Sequence, residues 1–194
     1  MTLANQLTVL RILLIPVFVV LLVYDLRIFA LIVFLFTCLS DSLDGYVART
    51  WRQQTTLGTI LDPIADKLLM VTTFATLALL RALPVSLTIL LIARDVCLSL
   101  LIGVVLLTTG RRPSAPTLLG RTAVFGQMST VVLGLLFYVF EAWPPFETLR
   151  PFVLTPVFIG TALLSVAAGL HYIYQVLRLL QGLEEPLGKH MSVQ

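Results

Sequence analysis

The most informative stretch of this sequence reads Asp41-Ser-Leu-Asp44-Gly45-Tyr-Val-Ala48-Arg49 and, after eight more residues, Gly58-Thr-Ile-Leu-Asp62-Pro-Ile-Ala-Asp66. The rest of the 194-residue chain is strongly apolar, with 58% hydrophobic and only 12% charged residues. Carboxylates next to or within membrane-spanning sequence are costly to bury, and they need cations, partners or a water-filled cavity. A chain that carries four of them is expected to use them.

Working outward from this stretch, apolar runs of membrane-spanning length recur along the chain. Each is close to the roughly 20 residues that a helix needs to cross the hydrocarbon core, and backbone groups in lipid must be satisfied within the segment. We therefore predict an all-α integral membrane protein, one polytopic domain over residues 1–194, with a polar tail over 181–194. The six predicted spans are Leu7–Tyr24, Ile28–Ala48, Gly58–Leu80, Pro84–Thr108, Pro116–Phe140 and Phe152–Leu180.

The placement of Lys and Arg predicts the orientation of these spans. The first apolar run lacks a preceding basic segment and a small-residue cleavage site, so it is interpreted as a retained span. With both termini in the cytoplasm, the cations of the inside loops and ends are Arg11, Arg49, Arg52, Arg111, Arg112, Arg121, Arg178 and Lys189, against Arg27, Arg81 and Arg150 outside. This excess satisfies the positive-inside rule. The formal charge of +3 is explained by topology, and no basic domain predicts a nucleic-acid partner.

The four aspartates form two pairs that a helical hairpin brings together. Asp41 and Asp44 are three residues apart, and Asp62 and Asp66 are four apart, so on helices each pair shares one face. The pairs lie at the cytoplasmic ends of the second and third spans, joined by the loop 49–57. The sequence therefore predicts four carboxylates close together just below the cytoplasmic surface.

Divalent cations are the natural compensation for such a cluster. Like charges cannot all stay ionised at close range without one. Carboxylate oxygens suit Mg²⁺ or Mn²⁺, and no His lies near the cluster, which argues against zinc. Two such ions can clamp the attacking and leaving oxygens of a phosphoryl displacement. Gly45 and Ala48 leave space beside the carboxylates, and Arg49 can pair with phosphate. The alternative is a set of structural salt bridges with Arg49, Arg52, Lys67 and Arg94.

The spacing Asp-x2-Asp-Gly-x2-Ala-Arg-x8-Gly-x3-Asp-x3-Asp resembles the signature of the CDP-alcohol phosphotransferases, which are membrane enzymes of phospholipid synthesis, and it matches at all eight positions. The opening Asn5-Gln-Leu-Thr8-Val-Leu-Arg11 with Pro16 is similar to members that make phosphatidylglycerol phosphate or cardiolipin. The six predicted spans also agree with this family. The resemblance therefore covers nearly the whole chain.

This resemblance implies a role for each residue of the motif. Asp41, Asp44, Asp62 and Asp66 would hold two Mg²⁺ or Mn²⁺ ions, and Asp66 would also be the general base. Gly45, Ala48, Arg49 and Gly58 would contact the CDP group. The acceptor hydroxyl would attack the lipid-side phosphorus of CDP-diacylglycerol, and CMP would leave. The resemblance also implies a homodimer, and we expect it in a bacterial inner membrane with its active site facing the cytoplasm.

A second group of residues bears on the identity of the acceptor. Arg94-Asp95 lies within the fourth predicted span, and Arg111, Arg112 and Arg121 fall on the same side as the aspartates. These four arginines are the candidate ligands for an anionic glycerol-type acceptor. The alternative for Arg111 and Arg112 is the positive-inside signal alone.

Members that use glycerol 3-phosphate tend to show Gly-Lys-x-Lys-Thr-x2-Gln where this chain has Gly120-Arg121-Thr122-Ala123-Val124-Phe125-Gly126-Gln127. Ala123 replaces the second Lys, and a phosphate monoester carries more charge than a diester. Arg94-Asp95-Val and, more faintly, His171-Tyr172 are similar to CMP-forming cardiolipin synthases, and the favoured alternative for His171 is an ordinary core histidine. We therefore favour phosphatidylglycerol as the acceptor, with glycerol 3-phosphate as the alternative.

Two other classes of protein also place acidic residues in membranes. Ion-coupled transporters do so, but many have inverted repeats and broken helices near the midplane, and no internal repeat is evident here. Prenyltransferases combine Asp-rich sites with Mg²⁺, although they are longer and space their aspartates differently. Both are kept as distant alternatives.

Overall fold

The computed structural model describes residues 3–51, 56–109 and 117–180, and the side chains of residues 8–40, 64–107 and 117–178. The described part of the chain is helical and contains no strand, as the sequence predicts. Its helices are α1 (Leu3–Val23), α2 (Arg27–Trp51), α3 (Thr56–Leu79), α4 (Val85–Thr109), α5 (Leu118–Val139) and α6 (Pro144–Leu180).

The predicted apolar runs correspond to these six helices, and the ends differ by a few residues. The largest difference is at α6, which begins at Pro144 and not at Phe152. Three helical segments are long and apolar enough to cross a membrane by length and composition, namely Val85–Leu107, Leu118–Val139 and Pro144–Arg178. Shorter apolar helices cover Thr8–Val23 and Arg27–Ser40 within the described residues. The fold is thus that of an all-helical membrane protein, and the number of spans stays a prediction.

Two helices end in the same left-handed turn. Asp25 has φ 59° and Arg81 has φ 58°, in the region that favours glycine. At the end of α1 the amide of Leu26 donates to the Leu21 carbonyl at 2.8 Å, and at the end of α3 the amide of Ala82 donates to the Leu77 carbonyl at 2.8 Å. These bonds satisfy carbonyls that a helix C-terminus leaves without an intrahelical partner.

The chain divides into two compact units, and α4, α5 and α6 each contribute to both. The first unit comprises residues 1–88 and 131–155. Here α1 packs against α2 and α3, with Phe18, Phe34 and Phe74 buried in its core. The rings of Phe18 and Phe34 lie 5.6 Å apart between centroids. The single polytopic domain over residues 1–194 stays a prediction.

Polar groups around Arg27 connect three turns within the first unit. Its Nε donates to Asp25 Oδ1 at 2.5 Å, and its Nη1 donates to the Tyr138 carbonyl at 2.9 Å and to Glu141 Oε2 at 3.1 Å. Arg150 donates to Glu141 Oε1 at 3.1 Å and to the Arg81 carbonyl at 3.5 Å. The network joins the α1–α2, α3–α4 and α5–α6 connections.

The second unit comprises residues 89–130 and 156–194 and contains a polar contact between α5 and α6. The hydroxyls of Thr130 and Thr161 lie 2.8 Å apart, and both residues are buried. The Thr161 hydroxyl also lies 3.1 Å from the Gly126 carbonyl, to which it can donate. Small residues let helices approach closely in membranes, and hydroxyl hydrogen bonds then hold them together.

Candidate functional site

Within the first unit, Asp66 of α3 lies directly against Arg11 of α1. Arg11 Nη1 donates to Asp66 Oδ1 at 2.5 Å. The two side chains differ sharply in exposure, since Arg11 is 1% exposed and Asp66 is 50% exposed. The pair therefore joins a buried cation to a carboxylate that water and ligands can reach.

Arg11 was not predicted to belong to the site. From the sequence it was expected among the cations of the loops and ends, whereas the structure buries its side chain within α1. An arginine stays charged in proteins, so its burial needs a partner of opposite charge. The available signal was an Arg inside the apolar run Leu7–Tyr24, because an intramembrane cation predicts an acidic partner.

The other motif residues fall within two helices, and their side chains lie outside the described residues. Asp41, Asp44, Gly45, Ala48 and Arg49 fall within α2, and Gly58 and Asp62 fall within α3. The predicted meeting of the four carboxylates therefore stays a prediction. Asp62 precedes Asp66 by four residues in α3, as the sequence requires.

The chemistry of the available donors fits a hard divalent cation. Asp66 offers a half-exposed carboxylate, and the remaining motif donors are carboxylates on the two consecutive helices α2 and α3. Oxygen donors of this kind are the ligands that Mg²⁺ and Mn²⁺ prefer. Among the described side chains, which do not include those of Asp41, Asp44 and Asp62, no three His, Cys, Asp or Glu residues group together.

Within the second unit, Arg94, Asp95 and Gln127 form a polar cluster between α4 and α5. Arg94 Nη1 donates to Asp95 Oδ1 at 2.6 Å. Gln127 Nε2 donates to the same carboxylate, at 3.4 Å to Oδ1 and 3.2 Å to Oδ2. Gln127 is fully buried, while Arg94 and Asp95 are 14% and 27% exposed. The cluster is thus largely withdrawn from solvent.

The structure defines the contacts of Arg94, which the sequence predicts to pair with Asp95. The expected Arg94–Asp95 pair is present, and Arg94 Cγ would lie 3.6 Å from a Cβ added at Gly169 of α6. The contact of Gln127 with Asp95 was not predicted from the sequence. The buried Nε of Arg94 has no hydrogen-bond partner among the described residues, so this guanidinium retains donor capacity.

The start of α5 contains the other residues relevant to the acceptor. The Thr117 hydroxyl accepts a hydrogen bond from the Gly120 amide at 3.1 Å and caps the helix. Arg121 follows in the first turn with an exposed side chain. Ala123 is 0% exposed. Arg111 and Arg112 lie outside the described residues.

Comparison with known proteins assigns the family. The family model for CDP-alcohol phosphatidyltransferase matches residues 1–176. The chain belongs to the CDP-alcohol phosphatidyltransferase family. It is therefore a phosphatidyltransferase, as the motif resemblance predicts, and the transporter and prenyltransferase alternatives are set aside.

Similar proteins include two kinds of CDP-alcohol phosphatidyltransferase. A probable phosphatidylglycerophosphate synthase of Mycobacterium tuberculosis is 31% identical over 189 residues, which cover 94% of this chain and 85% of that protein. A CDP-diacylglycerol–glycerol-3-phosphate 3-phosphatidyltransferase of Pseudomonas fluorescens is 34% identical over 88% of this chain and 84% of that protein.

The second kind is represented by a cardiolipin synthase (CMP-forming) of Streptomyces coelicolor. It is 39% identical over 107 residues, which cover 55% of this chain and 49% of that protein. This match is higher in identity but spans only about half of each chain. The family is thus shown, and the acceptor is the point on which the relatives differ.

Proposed function

We propose that this phosphatidyltransferase transfers the phosphatidyl group of CDP-diacylglycerol to phosphatidylglycerol, which yields cardiolipin and CMP. The acceptor is the part of this proposal that needs support, and Ala123 provides it. Where relatives of the glycerol 3-phosphate pattern tend to have a second Lys, this chain has an alanine that is fully buried. A phosphodiester acceptor carries less charge than a phosphate monoester, and so it requires fewer cations.

The proposed transfer is a single displacement at phosphorus. The acceptor hydroxyl oxygen forms a bond to the lipid-side phosphorus, the bond from that phosphorus to the CMP oxygen breaks, and CMP leaves with the electron pair. Asp66 takes the hydroxyl proton. Bound Mg²⁺ or Mn²⁺ ions supply charge neutralisation at the phosphates. The protein contributes mainly orientation and electrostatics, as is typical of phosphoryl transfer.

The proposal assigns a role to each candidate residue. Asp41, Asp44, Asp62 and Asp66 hold two divalent ions, and Gly45, Ala48, Arg49 and Gly58 contact the CDP group. Arg94, Arg111, Arg112 and Arg121 bind the anionic acceptor. Two observations support the role of Arg94. Asp95 holds its partly buried guanidinium, and its Nε–H has no hydrogen-bond partner among the described residues. For Arg121, the support is its exposure in the first turn of α5.

We further propose six membrane spans, both termini in the cytoplasm and an active site facing the cytoplasm of a bacterial inner membrane. The distribution of Lys and Arg supports this orientation. We propose a homodimer as well, on the strength of the family resemblance. The orientation is tested in intact cells with single cysteines placed at position 53 or in the α3–α4 turn, after Cys38 and Cys97 are replaced by serine. A membrane-impermeant thiol reagent should label only the cysteine in the α3–α4 turn. Labelling of position 53 from outside would contradict it.

Glycerol 3-phosphate is the second candidate acceptor. The observation in its favour is the near full-length match to the phosphatidylglycerophosphate synthase of Mycobacterium tuberculosis, whereas the cardiolipin synthase match covers about half of each chain. Arg111 or Arg112 can supply the charge that Ala123 does not provide.

Separate reactions with each acceptor decide between these functions. Purified protein in detergent micelles receives CDP-diacylglycerol and Mg²⁺ with phosphatidylglycerol, glycerol 3-phosphate or inositol, and CMP release and the lipid product are measured. The proposal predicts CMP and cardiolipin with phosphatidylglycerol. CMP release with glycerol 3-phosphate alone would establish the second candidate and refute the first.

A further inference from the structure

We propose that Arg11 is a positioning residue for Asp66. The Arg11 guanidinium holds the Asp66 carboxylate in place and maintains a permanent positive charge beside the proposed metal site. This inference rests on the proposed function, because it takes Asp66 to be a metal ligand and general base. It adds α1 to a site that the sequence motif confines to α2 and α3.

The contrast in burial within the pair is the first observation. Arg11 is 1% exposed and is among the largest fully buried side chains, whereas its partner Asp66 is 50% exposed. A surface ion pair costs both side chains their conformational freedom. Here the packing of α1 against α3 already fixes the guanidinium, so the carboxylate is the group that gains order from the contact.

A comparison with the other ion pairs of the first unit is the second observation. Arg27 and Arg150 are 29% and 34% exposed, and they join turns between helices. Arg11 instead lies inside an apolar helix, where burying a charge is expensive. The pair of Arg11 and Asp66 thus differs from the pairs in the turns, because its cation is buried in a helix and its carboxylate is half exposed.

The chemistry of the guanidinium predicts two opposite effects. A charge-assisted hydrogen bond from a fixed donor restricts the carboxylate to one orientation, and correct orientation accelerates transfer. The same positive charge repels a divalent cation that binds the same carboxylate. Removal of Arg11 is thus expected to slow turnover and to tighten metal binding. If Arg11 contributed only packing, its removal would loosen the site, and turnover would slow while metal binding weakened.

The test compares Arg11→Gln and Arg11→Lys with the control Arg27→Gln. Arg27 is a suitable control because its Nε also lies 2.5 Å from a carboxylate, that of Asp25, in the turn between α1 and α2. Mn²⁺ affinity is measured by electron paramagnetic resonance without substrate, and turnover is measured as CMP release at saturating CDP-diacylglycerol.

For Arg11→Gln we expect turnover to fall by about 100-fold, the scale of a 1 Å misplacement of a reacting group. Mn²⁺ binding should become roughly three- to tenfold tighter, since a like charge is removed near the site. Arg27→Gln should change neither quantity. Weaker Mn²⁺ binding in Arg11→Gln, or an equal loss of turnover in Arg27→Gln, would overturn the proposal.

Arg11→Lys keeps the charge and removes the planar fork, so it provides a second test if Arg11→Gln does not fold. Its turnover should fall about tenfold while its Mn²⁺ affinity stays unchanged. Unchanged turnover in this variant would overturn the positioning role. If the unsubstituted protein releases no CMP with any acceptor, the proposed function fails, and the Mn²⁺ affinities still support or overturn the inference about Arg11.

Discussion

Replacement of Gln127 tests whether the buried polar cluster of the second unit holds α4 and α5 together. Gln127→Leu keeps most of the side-chain volume and removes the amide that donates to both oxygens of Asp95. The two distances, 3.4 Å and 3.2 Å, are long for hydrogen bonds, but the acceptor is charged and Gln127 is 2% exposed.

The expected magnitude follows from the environment of this contact. Side-chain hydrogen bonds between membrane helices contribute about 0.6 kcal/mol on average and up to ~1.7 kcal/mol. The charge on Asp95 favours the upper part of that range, and the long distances favour the lower part. We therefore expect a coupling free energy of about 1 kcal/mol between these two side chains.

A double-mutant cycle measures this coupling. The free energy of unfolding is compared among the unsubstituted protein, Gln127→Leu, Asp95→Ala and the double variant in one detergent. Cycle analysis is needed because Asp95→Ala also removes the partner of Arg94, and that cost cancels in the cycle. Gln175→Leu is the matched control, since Gln175 lies 3.3 Å from His171 of its own helix and does not connect α4 and α5.

The refuting result is additivity. If the double variant loses the sum of the single losses within about 0.3 kcal/mol, the contact contributes nothing to stability and the cluster does not hold the two helices. The cycle also has a functional readout. If Arg94 binds the acceptor, each single variant should raise the acceptor KM more than the KM for CDP-diacylglycerol.

Three further predictions concern packing, a hydroxyl contact and the metal. A Cβ added at Gly134 would lie 2.7 Å from Leu83 Cδ2, so Gly134→Ala should destabilise the protein by ~1–3 kcal/mol in thermal unfolding. Gly160→Ala is the control, because a Cβ at Gly160 would meet no atom within 4 Å, and it should be neutral or stabilising. Equal melting temperatures would contradict this packing. Thr161→Val should reduce the free energy of unfolding by about 1 kcal/mol, because it removes the hydrogen bonds to Thr130 and Gly126. Thr148→Val, at an exposed position, should reduce it much less. The reverse order would contradict a stabilising contact between α5 and α6. Chelation by EDTA should stop CMP release, and Mg²⁺ or Mn²⁺ should restore it, so full activity in excess EDTA would exclude the proposed cofactors.

The helical fold was largely predictable because long apolar runs in lipid leave the backbone few alternatives to a helix. The exception is the start of α6. Its first turns contain Glu147 and Arg150, so a search for apolar residues begins the span at Phe152, although Pro144 is well suited to the first turn of a helix. Hydropathy locates the apolar part of a helix and not its polar ends.

The contacts of the site were less predictable than its motif. The spacing of the aspartates is local and falls within two helices, as expected. Arg11 and Asp66 are 55 residues apart, and Asp95 and Gln127 are 32 apart. Partners at such separations depend on which helix faces pack together, and helix periodicity alone does not specify this. An Arg and a Gln inside apolar runs predict that partners exist without identifying them.

Asp66 is proposed to serve a metal-dependent transfer of a phosphatidyl group from a CDP-linked lipid. The most direct measurement is CMP release from CDP-diacylglycerol with phosphatidylglycerol and Mg²⁺, by the unsubstituted protein and by Asp66→Asn. We expect one CMP for each cardiolipin formed by the unsubstituted protein, and a rate lower by about 10²- to 10⁴-fold for Asp66→Asn. Normal turnover in Asp66→Asn, with the fold intact, would contradict it.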